Sequence, residues 1–124
     1  MATRFFRCRH CGNVVEKSVD SGVPLVCCGE KMEELTAKTA EEGSEKHLPE
    51  ITLTPEGMLK VKVGSVPHPM LPEHHICFIS VETENGIQRI NLKDKPEAEF
   101  CVKNDKPIAV YEYCNIHGLW KKEL

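Results

Sequence analysis

The sequence lacks any long apolar run. No 18-residue apolar segment occurs in its 124 residues, and the N-terminal stretch MATRFFRCRHCG holds no run long enough for the core of a signal peptide. These absences argue against a helical membrane protein and predict a cytoplasmic one.

An excess of positive charge is also missing. The formal net charge is −3, with 28% charged and 40% hydrophobic residues, which is ordinary for a soluble globular domain. Proteins that bind nucleic acid or an anionic membrane usually carry a basic surface. We therefore expect neither as a partner.

The seven cysteines are unevenly distributed. Four lie in the first 28 residues, and Cys77, Cys101 and Cys114 are scattered through the rest. In a reducing compartment, an odd number of cysteines favours metal ligands, redox centres or buried thiols over a disulfide framework. The length allows one modest domain or a small domain joined to a larger one, and this distribution predicts the second arrangement.

The four early cysteines have the spacing of a metal site. CRHCG supplies two thiolates from one tight loop and VCCGEKM supplies two more, a set that suits zinc or iron. A vicinal disulfide beside a thioredoxin-like pair is the alternative, but no βαβ pattern surrounds CRHC. His10 is expected to face solvent. So short a unit buries little apolar surface, so the metal should supply much of its stability. The predicted ligands are Cys8, Cys11, Cys27 and Cys28.

The remainder of the chain shows neither an internal repeat nor a long helical segment. After Leu35, the polar stretch TAKTAEEGSEKHLPE is typical of a linker, which places a boundary near residue 37. Beyond it, apolar residues alternate in short runs separated by turn residues, which predicts antiparallel sheets packed as a sandwich or small barrel. The runs are LKVKV (59–63), ICFISVE (76–82), IQRINL (87–92), AEFCV (98–102) and IAVYEY (108–113).

Several histidines fall outside these predicted strands, in loops where sites are commonly built. Prolines stiffen VPHPMLPEHH, and the adjacent His74 and His75 should point to opposite sides of an extended chain. Cys114 and His117 lie on one turn, in YCNIHGLW. By contrast, Cys77 and Cys101 are predicted to be small buried side chains, and Trp120 a packing residue.

Short segments in a characteristic order carry a family resemblance. They are CRHCGNVVE and LVCCGEKM in the first unit, then EKHLP, VGSVPHPM, EHHI, PEAEFC and EYCNIHGLWK in the second. Through them, over essentially its whole length, the chain resembles the desulfoferrodoxins, the two-iron form of superoxide reductase. The resemblance implies a desulforedoxin-like four-cysteine iron domain at 1–36 and an immunoglobulin-like β-sandwich at 37–124. The second iron would have Cys114 on its axis and four histidines around it, His47, His68, His74 and His117.

The same resemblance implies the reaction and its partners. Superoxide would be reduced to hydrogen peroxide without release of oxygen, a rubredoxin-like protein would donate electrons, and the chain would form a homodimer. Lys46 would attract the bound anion and Glu45 would occupy the sixth position of ferric iron. The sequence departs from many relatives at Glu73 and His75, where they have a lysine and an aromatic residue, and at Leu119, where they often have a histidine.

Two other functions remain open at this point. One is a zinc-stabilised module that binds a protein and catalyses nothing, with zinc at the four-cysteine site. The other is a simple electron carrier of the rubredoxin type. The metal content of each site distinguishes them.

Overall fold

The structure is a computed structural model that describes residues 3–39, 47–66 and 68–124. It divides into two compact units, one within residues 1–36 and one within residues 37–124. Among the described residues, no helix has both the length and the apolar character that crossing a membrane requires.

The first unit consists of very short strands around a small core. A three-stranded antiparallel sheet has the order β2-β1-β5, and a two-residue hairpin pairs β3 with β4. Among the described residues, Phe6, Cys8 and Met32 form its buried cluster. A core of that size stabilises a fold weakly, as the sequence predicts. The strands are β1 (Phe5–Arg7), β2 (Val14–Glu16), β3 (Val26–Cys27), β4 (Glu30–Lys31) and β5 (Glu33–Glu34).

The second unit is a β-sandwich of two antiparallel sheets. One sheet has the order β10-β7-β6 and the other the order β12-β11-β8-β9. The predicted fold class, a small metal-knuckle domain followed by an immunoglobulin-like sandwich, is confirmed. The strands are β6 (Pro49–Leu53), β7 (Met58–Val63), β8 (Ile76–Thr83), β9 (Gly86–Asn91), β10 (Glu97–Cys101), β11 (Pro107–Cys114) and β12 (Gly118–Glu123).

The core lies between the two sheets. Leu59, Val61 and Val63 alternate with exposed lysines along β7, so one face of that strand is buried. β8 and β11 are buried along most of their length, because they are the two central strands of the larger sheet. Each fully buried aliphatic side chain stabilises the fold by about 1.5–3 kcal/mol.

The structure corrects three expectations. β6 and β12 were not predicted, since PEITL and GLWKKE show no clear alternation of apolar residues. The stretch read as a linker is partly structured: Lys38 pairs with Trp120, and β6 begins at Pro49. Cys101 is exposed rather than buried, because its neighbour Phe100 faces the core and successive side chains alternate.

Candidate metal centres

The four early cysteines converge in the first unit. Cys8 and Cys11 lie in the loop between β1 and β2, whereas Cys27 ends β3 and Cys28 follows it. Their four sulfur atoms lie within 4.8 Å of one another. His10 is exposed and contacts Glu30, so it stays outside this four-cysteine cluster, as predicted.

Two tight turns present these sulfurs. In the first loop, Gly12 N donates to Cys8 O over 3.0 Å, and Gly12 has a φ of 81°. Between β3 and β4, Cys28 and Gly29 have φ angles of 54° and 74°, as a two-residue type I′ hairpin turn requires. Glycine adopts such angles without a Cβ clash, so CCG provides both adjacent thiols and the turn that aims them.

Hydrogen bonding prepares Cys8 to bind a cation. The backbone N–H of Cys11 points at Cys8 Sγ over 3.5 Å and is the main cause that lowers the pKa of this thiol to about 6. Thiolates are the form that metals bind. Four converging sulfurs fit a tetrahedral site for zinc or iron.

Four histidines and one cysteine converge in the second unit, and we call them the His4Cys cluster. Their five donor atoms all lie within 4.8 Å of one another. They come from five places around one end of the sandwich: just before β6, twice from the β7–β8 connection, from the last residue of β11 and from the β11–β12 turn. The members are His47, His68, His74, Cys114 and His117.

The imidazole rings form a closed square. Going around it, the ring centroids of His47, His68, His74 and His117 are separated by 4.8, 4.7, 5.0 and 4.7 Å, and neighbouring planes meet at 69–80°. His47 Nε2 lies 3.2 Å from His68 Nε2 and 3.1 Å from His117 Nδ1. Nitrogens this close together are arranged as donors to one central cation.

The sulfur of Cys114 approaches this square from the buried side. Cys114 Sγ lies 3.5 Å from His68 Nε2 and 3.8 Å from His117 Nδ1, and it accepts a bond from His117 N over 3.4 Å. Cys114 is fully buried, whereas His117 is exposed and His74 half-buried. The cluster is therefore closed at the thiol and open toward solvent beside two of its histidines.

Burial keeps His68 in the state that binds a metal. Its pKa is lowered to about 4, chiefly by desolvation and in smaller part by the neighbouring histidines, while the bond to Pro69 opposes this shift. Its Nδ1 is 2.8 Å from Pro69 O, so that nitrogen donates and Nε2 faces the cluster. Burial raises the pKa of the Cys114 thiol, while the charge of Lys38 partly opposes this. A bound cation would stabilise the thiolate far more, and the donor set therefore fits a transition metal.

Asn115 is a site residue that the sequence reading missed. Its Oδ1 accepts from His75 N over 2.8 Å and its Nδ2 donates to Glu73 O over 3.0 Å. Asn115 thus holds the His74 segment against the Cys114 turn. His75 itself turns away and contacts Leu71 O through Nδ1 over 2.9 Å, so only one of the two adjacent histidines joins the cluster, as predicted. Glu45 and Lys46 lie outside the described residues.

Comparison with known proteins decides the family. The family model described as desulfoferrodoxin matches residues 39–123, and that described as desulfoferrodoxin, N-terminal domain, matches residues 2–35. The chain belongs to the desulfoferrodoxin family. Its relatives include the desulfoferrodoxin of Nitratidesulfovibrio vulgaris, 48% identical over 95% of this chain and 94% of that protein. The desulfoferrodoxin homolog of Methanothermobacter thermautotrophicus is 46% identical over 94% of this chain and 95% of that protein.

Solved structures of superoxide reductases resemble this chain. That of Treponema pallidum superimposes with a TM-score of 0.84 at 31% identity and covers 98% of both chains. The superoxide reductase of Nanoarchaeum equitans superimposes with a TM-score of 0.56 at 30% identity and covers 72% of this chain and 100% of that one. The larger match thus spans both units of this chain.

A buried acid lies two residues before Cys114. The Glu112 side chain is fully buried, and neither carboxyl oxygen has a hydrogen-bond partner among the described residues. Desolvation raises the pKa of Glu112 from near 4.5 to about 9. The group is therefore neutral in the folded protein at pH 7.

We expect Glu112→Gln to stabilise the protein above pH 5. The raised pKa means that only the unfolded carboxyl ionises between about pH 4.5 and 9, so stability falls as pH rises through this range. At pH 7 the gain should reach at most about 3.5 kcal/mol, because pH 7 lies 2.5 units above the unfolded pKa of 4.5 and each unit is worth about 1.4 kcal/mol. Urea unfolding at pH 5 and pH 8 measures it, with the exposed Glu123→Gln as the control. If the free energy of unfolding changed equally with pH in the Glu112 variant and the parent protein, Glu112 would not be a buried neutral acid.

Proposed function

We propose that the protein is a superoxide reductase that reduces superoxide to hydrogen peroxide at one mononuclear iron. The His4Cys cluster would hold that iron, with Cys114 as the axial ligand, and the four-cysteine cluster would hold a second iron. The observation that carries the proposal is the closed square of four imidazoles above one buried thiol, a donor set of five. Structural zinc usually takes four closed ligands, so five donors around an open side favour redox chemistry.

The protein's own groups explain why superoxide is a suitable substrate. Iron bound here would supply the single electron, and superoxide plus one electron and two protons gives hydrogen peroxide. With iron bound, Cys114 would be a thiolate that donates electron density to it, and the more exposed side lined by His74 and His117 would admit a small anion and water. Burial of His68 keeps its imidazole neutral and available as a ligand.

The charged groups beside His47 complete this proposal. Lys46 would attract and hydrogen-bond the anion through its ammonium, and Glu45 would bind the oxidised metal through its carboxylate. Their place next to the first histidine in EKHLP supports both roles. A rubredoxin-type protein would donate the electrons, and a cytoplasmic homodimer would be the working form.

We expect Lys46→Ala to slow the reaction of the reduced centre with superoxide about tenfold, equivalent to about 1.4 kcal/mol of barrier. A protein of net charge −3 offers superoxide no general attraction, so a local charge must supply it. Because salt screens such attraction over about 10 Å at 0.1 M, the variant's rate should also depend less on ionic strength. Rapid mixing with pulsed superoxide at two ionic strengths measures both effects.

Glu45→Ala is the matched comparison for Lys46→Ala. It should leave the capture rate nearly unchanged and alter the spectrum of the oxidised centre. If Lys46→Ala keeps the parent rate and salt dependence, the steering charge lies elsewhere, with Lys121 and Lys122 the next candidates.

Metal analysis with visible spectroscopy tests the proposal against its alternatives. Two irons per chain and a coloured protein are expected. Zinc at both sites with no colour would contradict a reductase and favour a zinc-stabilised binding module. Iron at the four-cysteine site alone would favour a simple electron carrier.

A further inference from the structure

Lys38 contacts the His4Cys cluster from outside. Its backbone pairs with the β12 strand: Lys38 N donates to Leu119 O and Lys121 N donates to Lys38 O, both over 2.9 Å. With the backbone held in this way, Lys38 Nζ donates to His117 O over 3.1 Å. The ammonium is thus bonded to the backbone of the turn that carries His117.

The same ammonium reaches a second histidine through Trp120. Lys38 Nζ lies 5.4 Å from the centroid of the Trp120 ring, a cation–π contact. The other neighbour of that indole is His47, stacked at 4.7 Å between centroids with 11° between the planes. Trp120 is almost fully buried, so Lys38, Trp120 and His47 form a layered contact at the edge of the cluster.

A fixed positive charge at this place affects the two oxidation states of a bound metal unequally. The oxidised centre carries one more positive charge than the reduced one, so a neighbouring ammonium destabilises it more. The charge of Lys38 therefore favours the reduced centre.

We propose that Lys38 is a positioning and charge-tuning residue of the His4Cys centre, which holds the His117 turn and raises the reduction potential of the metal bound there. The inference rests on the proposed function for the presence of iron. It assigns to Lys38 a task separate from that of Lys46: Lys38 makes the centre easier for the electron donor to reduce, whereas Lys46 attracts superoxide.

Three variants of Lys38 separate charge from hydrogen bonding. Lys38→Gln keeps a hydrogen-bond donor but loses the positive charge. Lys38→Met loses both, and Lys38→Arg keeps both. Equilibrium titration of the iron-loaded protein against redox dyes should show reduction about fivefold less favourable in the Gln and Met variants, or about 40 mV for one electron. Lys38→Arg should stay near the parent value.

The control removes a similar charge at the other end of β11. Lys106 is exposed and directly precedes β11, whose eight residues span roughly 25 Å at about 3.3 Å each before Cys114. That distance exceeds the screening length at 0.1 M salt, about 10 Å, so Lys106→Gln should leave the potential unchanged. An unchanged potential in Lys38→Gln, or an equal shift in Lys106→Gln, would overturn the proposal.

A metal-free measurement tests the contact itself. Trp120 is the only tryptophan, so intrinsic fluorescence reports on its surroundings alone. The emission of metal-free protein should change in the Gln and Met variants and be retained in Lys38→Arg; identical emission in all four proteins would contradict the layered contact.

Failure of the proposed function and failure of the Lys38 inference give different results. If the parent protein binds iron at the cluster but does not reduce superoxide, the proposed reaction is wrong, while a potential that depends on Lys38 still supports the inference. If the parent protein reduces superoxide and its reduction potential does not depend on Lys38, only the inference is wrong.

Discussion

Replacing Cys114 by serine should abolish superoxide reduction and leave the four-cysteine centre assembled. Serine is a poor substitute because its hydroxyl is a weak, mostly protonated donor, whereas a thiolate donates electron density to the metal. Cys114 is fully buried and its sulfur lies within 3.8 Å of two histidine nitrogens, so a serine there would present its weaker donor to the same site. We expect at least a hundredfold loss of the second-order rate, about 2.7 kcal/mol or more of barrier.

Cys101→Ser is the matched control for this variant. It makes the same chemical change at an exposed cysteine outside the His4Cys cluster and should react at the parent rate. Rapid mixing with superoxide, together with visible spectra of both iron centres, gives the comparison. Near-parent activity in Cys114→Ser would contradict the axial assignment.

Replacing Cys8 by serine should remove the first centre and spare the second. Cys8 is buried in the small core of the first unit, beside Phe6 and Met32, so loss of its metal also removes much of what stabilises that unit. The two donor sets share no residue. With a chemical reductant as electron source, the variant should therefore still reduce superoxide at close to the parent rate.

His10→Ala is the control for the first centre. His10 lies between Cys8 and Cys11 in sequence but contacts Glu30 instead of joining the cluster, so its loss should leave the four-cysteine spectrum in place. If Cys8→Ser lost both metals, the two units would depend on each other for folding and the boundary near residue 37 would be wrong.

The ligand clusters could be predicted from the sequence because their signals are local. The cysteine pairs in CRHCG and VCCG have the spacing of a metal site. The positive φ angles of Cys28 and Gly29 form the tight turn that brings the adjacent cysteines to it. His68, His74 and His117 all lie in connections between strands rather than within them. The family resemblance then joined residues that spacing alone could not bring together.

What the sequence did not reveal depends on tertiary contacts. β12 is stabilised by pairing with β11 and with Lys38, which neither GLWKKE nor the neighbouring polar stretch indicates. The roles of Asn115 and Lys38 likewise arise from bonds to backbone atoms of distant residues, which side-chain chemistry does not specify. The apolar residues around Cys101 predict a buried side chain, although the strand exposes one face.

Product analysis tests the central claim most directly. A known amount of superoxide should be delivered to the iron-loaded, reduced protein with excess reductant, and hydrogen peroxide and oxygen should be measured together. A reductase is predicted to yield one hydrogen peroxide for each superoxide consumed, with no oxygen formed. One hydrogen peroxide and one oxygen for every two superoxides would indicate dismutation and contradict the account.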